Sequence, residues 1–161
     1  MHVIKEVSSL NLFQKLVIIP NFQSPHKDRP FFYSKDRLEK IKDLIPTFPK
    51  TLTYEICEWE MQQKKTCYTI DTICHLLMVY PQTTFYLVLG SDSFFSLHLW
   101  KDYQNVCRLV HLVVVRRDTK SAKTYEDYHV TFFPDTPLTI TGHTVVDMSS
   151  TQLKNRQEKN V

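Results

Sequence analysis

Apolar residues along the chain form two kinds of pattern, namely short continuous runs and longer stretches in which apolar positions recur every three or four residues. The continuous runs are rich in Val, Ile and Leu, which is typical of buried parallel strands. Predicted strands occupy 16–19, 51–59, 85–89, 110–115, 130–133 and 144–146. Predicted helices occupy 3–10, 34–45 and 69–79, with a short helix near Asp92 and a last helix from 147. This alternation predicts an α/β fold, a parallel sheet with helices on both faces.

The loops after the predicted strands are the places to look for a ligand site, because ligands of open parallel sheets bind outside the carboxyl ends of the strands. In this chain those ends lie at 20–27, 90–100, 116–117 and 147–154. Polar residues at 118–127 predict a mobile loop, and 155–161 form a charged tail. We expect 1–161 to be one domain, because its length and its 42% hydrophobic content suit a single core.

The composition of the chain bears on which kinds of partner it can bind and on where it is located. The net charge of +3 comes from 20 basic and 17 acidic side chains spread along the chain, so we expect no nucleic-acid partner. No apolar run reaches the roughly 20 residues that cross a bilayer, so no membrane partner is expected either. The four cysteines show no C-x-x-C pairing, which indicates reduced thiols and a cytoplasmic location. The chain has only two glycines, too few for a glycine-rich phosphate loop.

Two polar segments at predicted strand ends could bind phosphate. The segment 149–154 places three hydroxyl residues at a predicted helix start and Lys154 one turn later, where N–H groups, hydroxyls and an ammonium favour an anion. His26 and Lys27 lie in a proline-containing loop after the first predicted strand and could face a polyphosphate. Taken singly, a serine-rich helix cap and an ordinary surface turn explain these residues more simply.

Two further groups could bind a nucleoside. Gly90 permits close approach of the backbone to a ligand, and the carboxylate of Asp92 could accept ribose hydroxyls, although a simple helix cap is an equally good interpretation of Asp92. Tyr68, Thr69 and Trp100 could enclose a flat ring, because aromatic faces stack on heterocycles and neighbouring amides can bind a carboxylate. Core packing is the alternative for these three. The histidines show no metal-binding spacing.

Taken in chain order, five motifs resemble those of the bacterial nicotinate mononucleotide adenylyltransferase family. They read I-P-N-F-Q-S-P-H-K at 19–27, T-C-Y-T-I-D-T-I at 66–73, V-L-G-S-D at 88–92, V-V-V-R-R at 113–117 and M-S-S-T-Q-L-K at 148–154. The resemblance covers nearly the whole chain, and the order of the motifs is far more specific than any one of them. Lys154 stands where the family has arginine, and Lys101 follows Trp100 where an aromatic residue is frequent.

The resemblance implies a Rossmann-like fold of the nucleotidylyltransferase type and transfer of AMP from ATP to nicotinate mononucleotide. The products would be nicotinate adenine dinucleotide and pyrophosphate, in NAD biosynthesis, with Mg²⁺ accompanying ATP. It assigns ATP, mainly its phosphates, to His26, Lys27, Gly90, Asp92, Arg117, Ser149, Ser150, Thr151 and Lys154. It assigns the nicotinate nucleotide to Tyr68, Thr69 and Trp100.

The family begins with a strand, a G-G-T/S-F-D-P loop and an H-x-G-H motif, which the aligned motifs place before Met1. We therefore expect the first strand to be missing from this chain and assign no catalytic residue or metal ligand within it. We also expect the chain alone to be unstable and inactive, because loss of a central strand leaves unpaired edges. Two alternatives stay open, a catalytically inactive nucleotide-binding remnant and a related adenylyltransferase that uses nicotinamide mononucleotide or pantetheine phosphate.

Overall fold

The computed structural model describes residues 2–22 and 34–141, which form five strands and seven α-helices. The strands are β1 (Lys15–Ile18), β2 (Thr53–Ile56), β3 (Phe85–Gly90), β4 (Val110–Val115) and β5 (Leu138–Ile140). The helices are α1 (His2–Ser9), α2 (Ser34–Leu44), α3 (Trp59–Gln63), α4 (Thr69–Val79), α5 (Ser91–Phe95), α6 (Tyr103–Leu109) and α7 (Ala122–Phe132). Two 3₁₀ turns, Ile45–Thr47 and Leu97–Leu99, follow α2 and α5.

Strands β3, β4 and β5 form a parallel sheet with β4 in the middle. Register places Gly90 opposite Val115 and Leu112 opposite Leu138, so the strands end at the same edge of the sheet. The run V-H-L-V-V-V of β4 is covered on both faces, and Leu112 and Val114 are completely buried. Burial on both faces accounts for the continuous apolar run that predicted this strand.

Strands β1 and β2 pair in parallel as a second, smaller sheet, with Lys15 opposite Thr53. Within the described ranges 2–22 and 34–141, no backbone pairing joins this sheet to the other. Side chains connect the two sheets instead. The rings of Phe13 and Tyr86 lie 5.5 Å apart, and Leu16 and Val88 pack against a small cluster centred on Val7 and Val115.

The main core lies between the three-stranded sheet and the helices around it. Phe94, on α5, is completely buried and lies at the centre of an aromatic cluster. Its ring centroid is 5.6 Å from that of Tyr125, 5.3 Å from that of Tyr128 and 5.6 Å from that of Phe133. Helix α7 thereby fixes the connection between β4 and β5 against the helix that follows β3.

The structure confirms the predicted α/β architecture, including the bounds 69–79 of α4 and 110–115 of β4. Two predictions in the β4–β5 connection are wrong, because α7 occupies part of the predicted loop 118–127 and of the predicted strand 130–133. Ser121 caps this helix by accepting a hydrogen bond from the Thr124 amide. Tyr125, at helical spacing from Tyr128, turns toward the core, which is the packing that makes the segment helical. The predicted elements from 144 onward lie outside the described residues.

No helix in the described part of the chain is both long enough and apolar enough to cross a bilayer.

Candidate functional site

The carboxyl ends of β3 and β4 bring Gly90 and Arg117 together. A Cβ atom added to Gly90 would lie 3.2 Å from Nε and 3.4 Å from Cδ of Arg117, so the arginine side chain lies directly across the glycine. Gly90 has an ordinary extended backbone, with φ of −81°. Its missing side chain is therefore needed for the close approach and not for an unusual turn. The pair places one cation at the edge of the sheet where ligands of such folds bind.

Asp92 lies at the same edge, as the second residue of α5. The residue that caps this helix is Gly90, so the interpretation of Asp92 as the N-cap is wrong. The backbone carbonyl of Asp92 accepts a hydrogen bond from Ser96 Oγ at 2.9 Å, while the side chain is exposed. A carboxylate in this position is available to hydrogen-bond donors such as ribose hydroxyls.

A buried polar network fixes the backbone just beyond β4. Ser91 Oγ accepts a hydrogen bond from the Arg117 amide at 2.9 Å and lies 2.7 Å from the hydroxyl of Tyr125. The Tyr125 hydroxyl donates to Asp118 Oδ1 at 2.8 Å. Burial, above all, raises the pKa of Tyr125 to about 12. Burial opposes ionisation of Asp118, but hydrogen bonds from Tyr125 and Lys120 outweigh it, so the pKa of this carboxyl lies below its usual value.

The start of α4 forms a second polar group of residues. The side chain of Asp71 accepts a hydrogen bond from the Tyr68 amide at 3.2 Å, which holds Tyr68 at the entrance to the helix. The Tyr68 ring is 37% exposed, and Lys101 Nζ lies 4.3 Å from its centroid. This distance is within the range of a cation–π contact. Trp100, next to Lys101, is half-buried and packs against the main core.

A buried carboxyl lies beneath this second group. Glu60, on α3, is 8% exposed and accepts a hydrogen bond from Thr72 Oγ1 at 2.5 Å. Burial raises the pKa of Glu60, although the Thr72 hydrogen bond works in the opposite direction. The contact ties α3 to the first turn of α4, which carries Tyr68 and Thr69.

Half of the predicted site residues can be placed in this structure. Gly90, Asp92 and Arg117 share the edge formed by β3 and β4, whereas Tyr68, Thr69 and Trp100 belong to the α4 side. The other six lie outside the described residues: His26, Lys27, Ser149, Ser150, Thr151 and Lys154.

The prediction from sequence missed several residues that support the site. Lys101 was visible only as a departure from the family pattern beside Trp100, and Ser91 only as the residue between Gly90 and Asp92. Tyr125 and Glu60 carried no sequence signal for their contacts, since each hydrogen-bonds to a residue at least 12 positions away.

The described residues also bear on whether a metal ion or a cavity belongs to these two groups. Over residues 2–22 and 34–141, no set of three or more His, Cys, Asp or Glu side chains could hold a metal ion. A cavity of about 610 Å³ lies between α7 and β5 and is lined by Arg116, Glu126 and His129 among others, but by none of the predicted site residues.

Comparison with known proteins identifies relatives. The family model described as cytidylyltransferase-like matches residues 1–156. Campylobacter jejuni has a relative named "probable nicotinate-nucleotide adenylyltransferase" that is 32% identical over 126 residues, which are 78% of this chain and 67% of the relative. A protein of the same name from Aquifex aeolicus is 30% identical over 122 residues, 76% of this chain and 70% of the relative.

A solved structure agrees on the fold. The Plasmodium falciparum nicotinic acid mononucleotide adenylyltransferase, solved in complex with NaAD, superposes with a TM-score of 0.69 over 94% of this chain and 70% of that protein, at 15% identity. The nucleotidyltransferase-type Rossmann-like fold expected from the motifs is therefore confirmed. The match to the family model and the similarity to the bacterial relatives show that this chain belongs to the cytidylyltransferase-like family and, within it, to the nicotinate-nucleotide adenylyltransferases.

Proposed function

We propose that this protein is an adenylyltransferase of NAD biosynthesis that transfers AMP from ATP to nicotinate mononucleotide. The observation that carries the proposal is the position of Arg117 across Gly90, at the carboxyl ends of two parallel strands, in a chain that belongs to this family. A guanidinium held at this edge can pair with the oxygens of a phosphate through two hydrogen bonds.

The reaction needs no covalent enzyme intermediate. An oxygen of the nicotinate mononucleotide phosphate attacks the α-phosphorus of ATP, a new P–O–P bond forms, and the bond to the β-phosphate breaks to release pyrophosphate. The protein contributes by holding the two phosphates in line and by offsetting their negative charge. In this proposal Arg117 neutralises the triphosphate, and Asp92 accepts hydrogen bonds from the adenosine ribose.

The acceptor would bind at the start of α4. Nicotinate differs from nicotinamide by a carboxylate in place of a neutral amide, so a cation near the ring favours the nicotinate form. Lys101, whose ammonium lies 4.3 Å from the centroid of the Tyr68 ring, supplies such a cation beside Trp100. The amide of Thr69, at the first turn of an 11-residue helix, adds the positive end of the helix dipole.

The remaining phosphate ligands stay predictions. The resemblance assigns ATP phosphates to His26, Lys27, Ser149, Ser150, Thr151 and Lys154, which lie outside the described residues. Mg²⁺ would enter with ATP, because this ion prefers phosphate and water oxygens to a cage of protein ligands. When bound, it would neutralise charge on the triphosphate. The four free thiols support a cytoplasmic site for the reaction.

Calorimetric titration of the 161-residue chain tests the binding part of this proposal. We expect nicotinate adenine dinucleotide to bind, and Arg117→Ala to weaken that binding about tenfold, equivalent to about 1.4 kcal/mol. Lys123→Ala, which removes an exposed lysine of α7, is the matched control and should change nothing. A cooperative thermal melt shows first that the chain is folded, and no binding by the folded, unaltered chain would refute the proposal.

Pyrophosphate release tests the transfer step and the choice of acceptor. Release with ATP and nicotinate mononucleotide would show that the expectation of an inactive chain is wrong. Faster release with nicotinamide mononucleotide or pantetheine phosphate would instead favour the alternative acceptors. Dinucleotide binding without any release would fit both the expectation that the chain alone is inactive and the alternative of a catalytically inactive nucleotide-binding remnant, and release would rule the remnant out.

A further inference from the structure

Two buried hydroxyl groups lie behind the edge of the sheet that carries Gly90. Ser91 is 1% exposed and Tyr125 is completely buried, although both carry polar groups that need partners away from water. They come from separate elements, since Ser91 opens α5 and Tyr125 lies on α7. Their oxygens are 2.7 Å apart, which is the ordinary length of an O–H···O hydrogen bond.

The direction of the hydrogen bonds in this network follows from counting protons. A tyrosine hydroxyl has one proton, and that of Tyr125 goes to Asp118 Oδ1 at 2.8 Å. The bond between Ser91 and Tyr125 must therefore be donated by Ser91. The serine oxygen is then left to accept from the Arg117 amide at 2.9 Å. The result is a single ordered chain of donors that runs from the Arg117 amide through Ser91 and Tyr125 to Asp118.

The acceptor at the end of this chain is itself held in place. Asp118 accepts from the Lys120 amide at 3.1 Å and pairs with Lys120 Nζ at 3.0 Å. The hydrogen bonds that lower the pKa of Asp118 keep it an anion near neutral pH. The raised pKa of Tyr125, about 12, keeps that hydroxyl protonated over the same range. The order of the chain is thus the same at all pH values near neutrality.

Contacts of Arg116 hold the segment after β4 in addition to the hydrogen-bond chain. Arg116 Nη2 donates to the Lys120 carbonyl at 2.6 Å, and its guanidinium carbon lies 5.8 Å from the centroid of the Tyr125 ring. The Arg116 amide donates to Thr141 Oγ1 at 3.2 Å. Every residue from Arg116 to Asp118 therefore has its backbone or side chain bound to a neighbouring element.

We propose that Ser91, Tyr125 and Asp118 are positioning residues that hold the segment after β4 so that the Arg117 side chain stays across Gly90, ready for a triphosphate. This inference rests on the proposed function, because it gives the network the task of presenting a phosphate-binding cation. The Arg117 side chain is exposed and lies across Gly90. We assign its order to its backbone, whose amide is the first donor of the hydrogen-bond chain, and to the absence of a side chain at Gly90.

If the network positions Arg117, the effects of substituting Tyr125 and Arg117 on ATP affinity should not be additive. Tyr125→Phe keeps the ring and removes the hydroxyl, which leaves Ser91 without an acceptor and Asp118 without one of its donors. We expect ATP to bind about tenfold more weakly to this variant. In an Arg117→Ala background the same change should have no further effect on ATP affinity, because the residue that the network positions is already absent. A loss through general destabilisation would add to that of Arg117→Ala instead.

Tyr128→Phe is the matched control on the same helix. The Tyr128 hydroxyl donates to the Phe95 carbonyl at 2.7 Å and contacts His98, so its removal also costs a hydrogen bond, one that is partly buried. The Tyr128 hydroxyl makes no hydrogen bond to Ser91 or Asp118. We expect Tyr128→Phe to lower the unfolding temperature as Tyr125→Phe does, while leaving ATP affinity unchanged.

Hydrogen exchange at the Arg117 amide separates this inference from the proposed function. Exchange there should be about tenfold faster in Tyr125→Phe than in the unaltered protein and in Tyr128→Phe, whether or not any nucleotide is present. Equal exchange in all three proteins, or additive losses of ATP affinity in the double variant, would overturn the positioning role. Absence of ATP binding by the unaltered protein, with the exchange difference intact, would overturn the proposed function and with it the purpose assigned to the network.

Discussion

Both sheets that the structure describes consist of parallel strands, yet the strands of the two sheets differ in how they are covered. In β4, Leu112, Val113 and Val114 are completely buried, and hydrogen-bonded neighbours lie on both sides. In β1 and β2 every residue is partly or fully exposed, and an ion pair of Lys15 with Glu55 lies on the surface. The difference shows that one sheet is a core element, while the other is attached to it through side chains.

The residues of the candidate site that the structure describes are built on the buried sheet and the helices packed against it. Gly90 and Arg117 directly follow β3 and β4, and α4 contributes Ile70 and Ile73 to the main core. Rigid support suits ligand binding, because the affinity of a site falls when its groups must be ordered at the moment of binding. Substitutions should therefore have different consequences in the two regions.

The same substitution in each sheet gives the largest expected contrast. Leu112→Ala removes a completely buried side chain from β4 and should cost about 3 kcal/mol of unfolding free energy, through lost burial and a cavity. Leu16→Ala removes a partly buried side chain from β1 and should cost about 1 kcal/mol. Urea denaturation of both variants measures the two losses. Equal losses would mean that the small sheet is as much a part of the core as the large one.

Gly90→Ala, at the edge of the buried sheet, should weaken ATP binding without lowering the stability of the protein. Its Cβ would lie 3.2 Å from Arg117 Nε, so the arginine must move aside, and we expect about tenfold weaker ATP binding, or about 1.4 kcal/mol. Stability should hold or rise by up to about 1 kcal/mol, because the arginine is flexible and alanine restricts the unfolded chain. Calorimetry and urea denaturation measure the two effects. Unchanged ATP affinity would show that Arg117 is not needed across Gly90.

The charge of Lys101 should influence the choice of acceptor on the α4 side. Lys101→Gln removes the ammonium over Tyr68, and we expect the preference for nicotinate over nicotinamide mononucleotide to fall about fivefold. Lys101→Arg keeps the charge and serves as the matched control, with most of the preference retained. Dissociation constants for both nucleotides provide the ratio. A ratio that is unaffected in both variants would remove Lys101 from the proposed acceptor site.

The smallest effect is expected at Glu60, where the region after β2 meets α4. Because burial raises the pKa of Glu60 above 4.5, the folded state binds this proton more tightly than the unfolded state does. Its stabilising contribution is complete below pH 4.5 and is lost as pH rises through the folded pKa. Glu60→Gln keeps an acceptor for Thr72 without a titrating proton. Its stability relative to the unaltered protein should therefore rise from pH 4.5 to pH 7 in thermal melts, and a flat difference would contradict this reasoning.

Much of the fold could be predicted because its core elements carry strong periodic signals. Apolar residues at helical spacing marked α4, and the unbroken run V-H-L-V-V-V marked β4, each with the observed bounds. Helix α7 was missed because its buried face consists largely of tyrosines among polar neighbours. Tyr125 is completely buried only because Ser91 and Asp118 satisfy its hydroxyl. That compensation is a tertiary contact, and no local pattern reveals it.

Some features of the candidate site could likewise be predicted from the sequence, whereas others depend on tertiary contacts. Position at a strand end was readable for Gly90 and Asp92, since topology alone directs ligands there. The close approach of Arg117 to Gly90 depends on strand register, and the cation over Tyr68 depends on the packing of Trp100 against the core. Both arise from contacts between residues more than 25 positions apart in the chain.

The parallel register of β3, β4 and β5 also decides where a reporter group can be attached. All three strands run the same way, so the turn before β5, with exposed Pro134 and Asp135, lies at the opposite edge of the sheet from Gly90. Six strand residues at about 3.3 Å each separate the two edges by about 15–20 Å. A fluorophore on a cysteine introduced at Asp135, after replacement of the exposed Cys74 and the partly exposed Cys57, would therefore lie too far from a nucleotide at Gly90 to obstruct its binding.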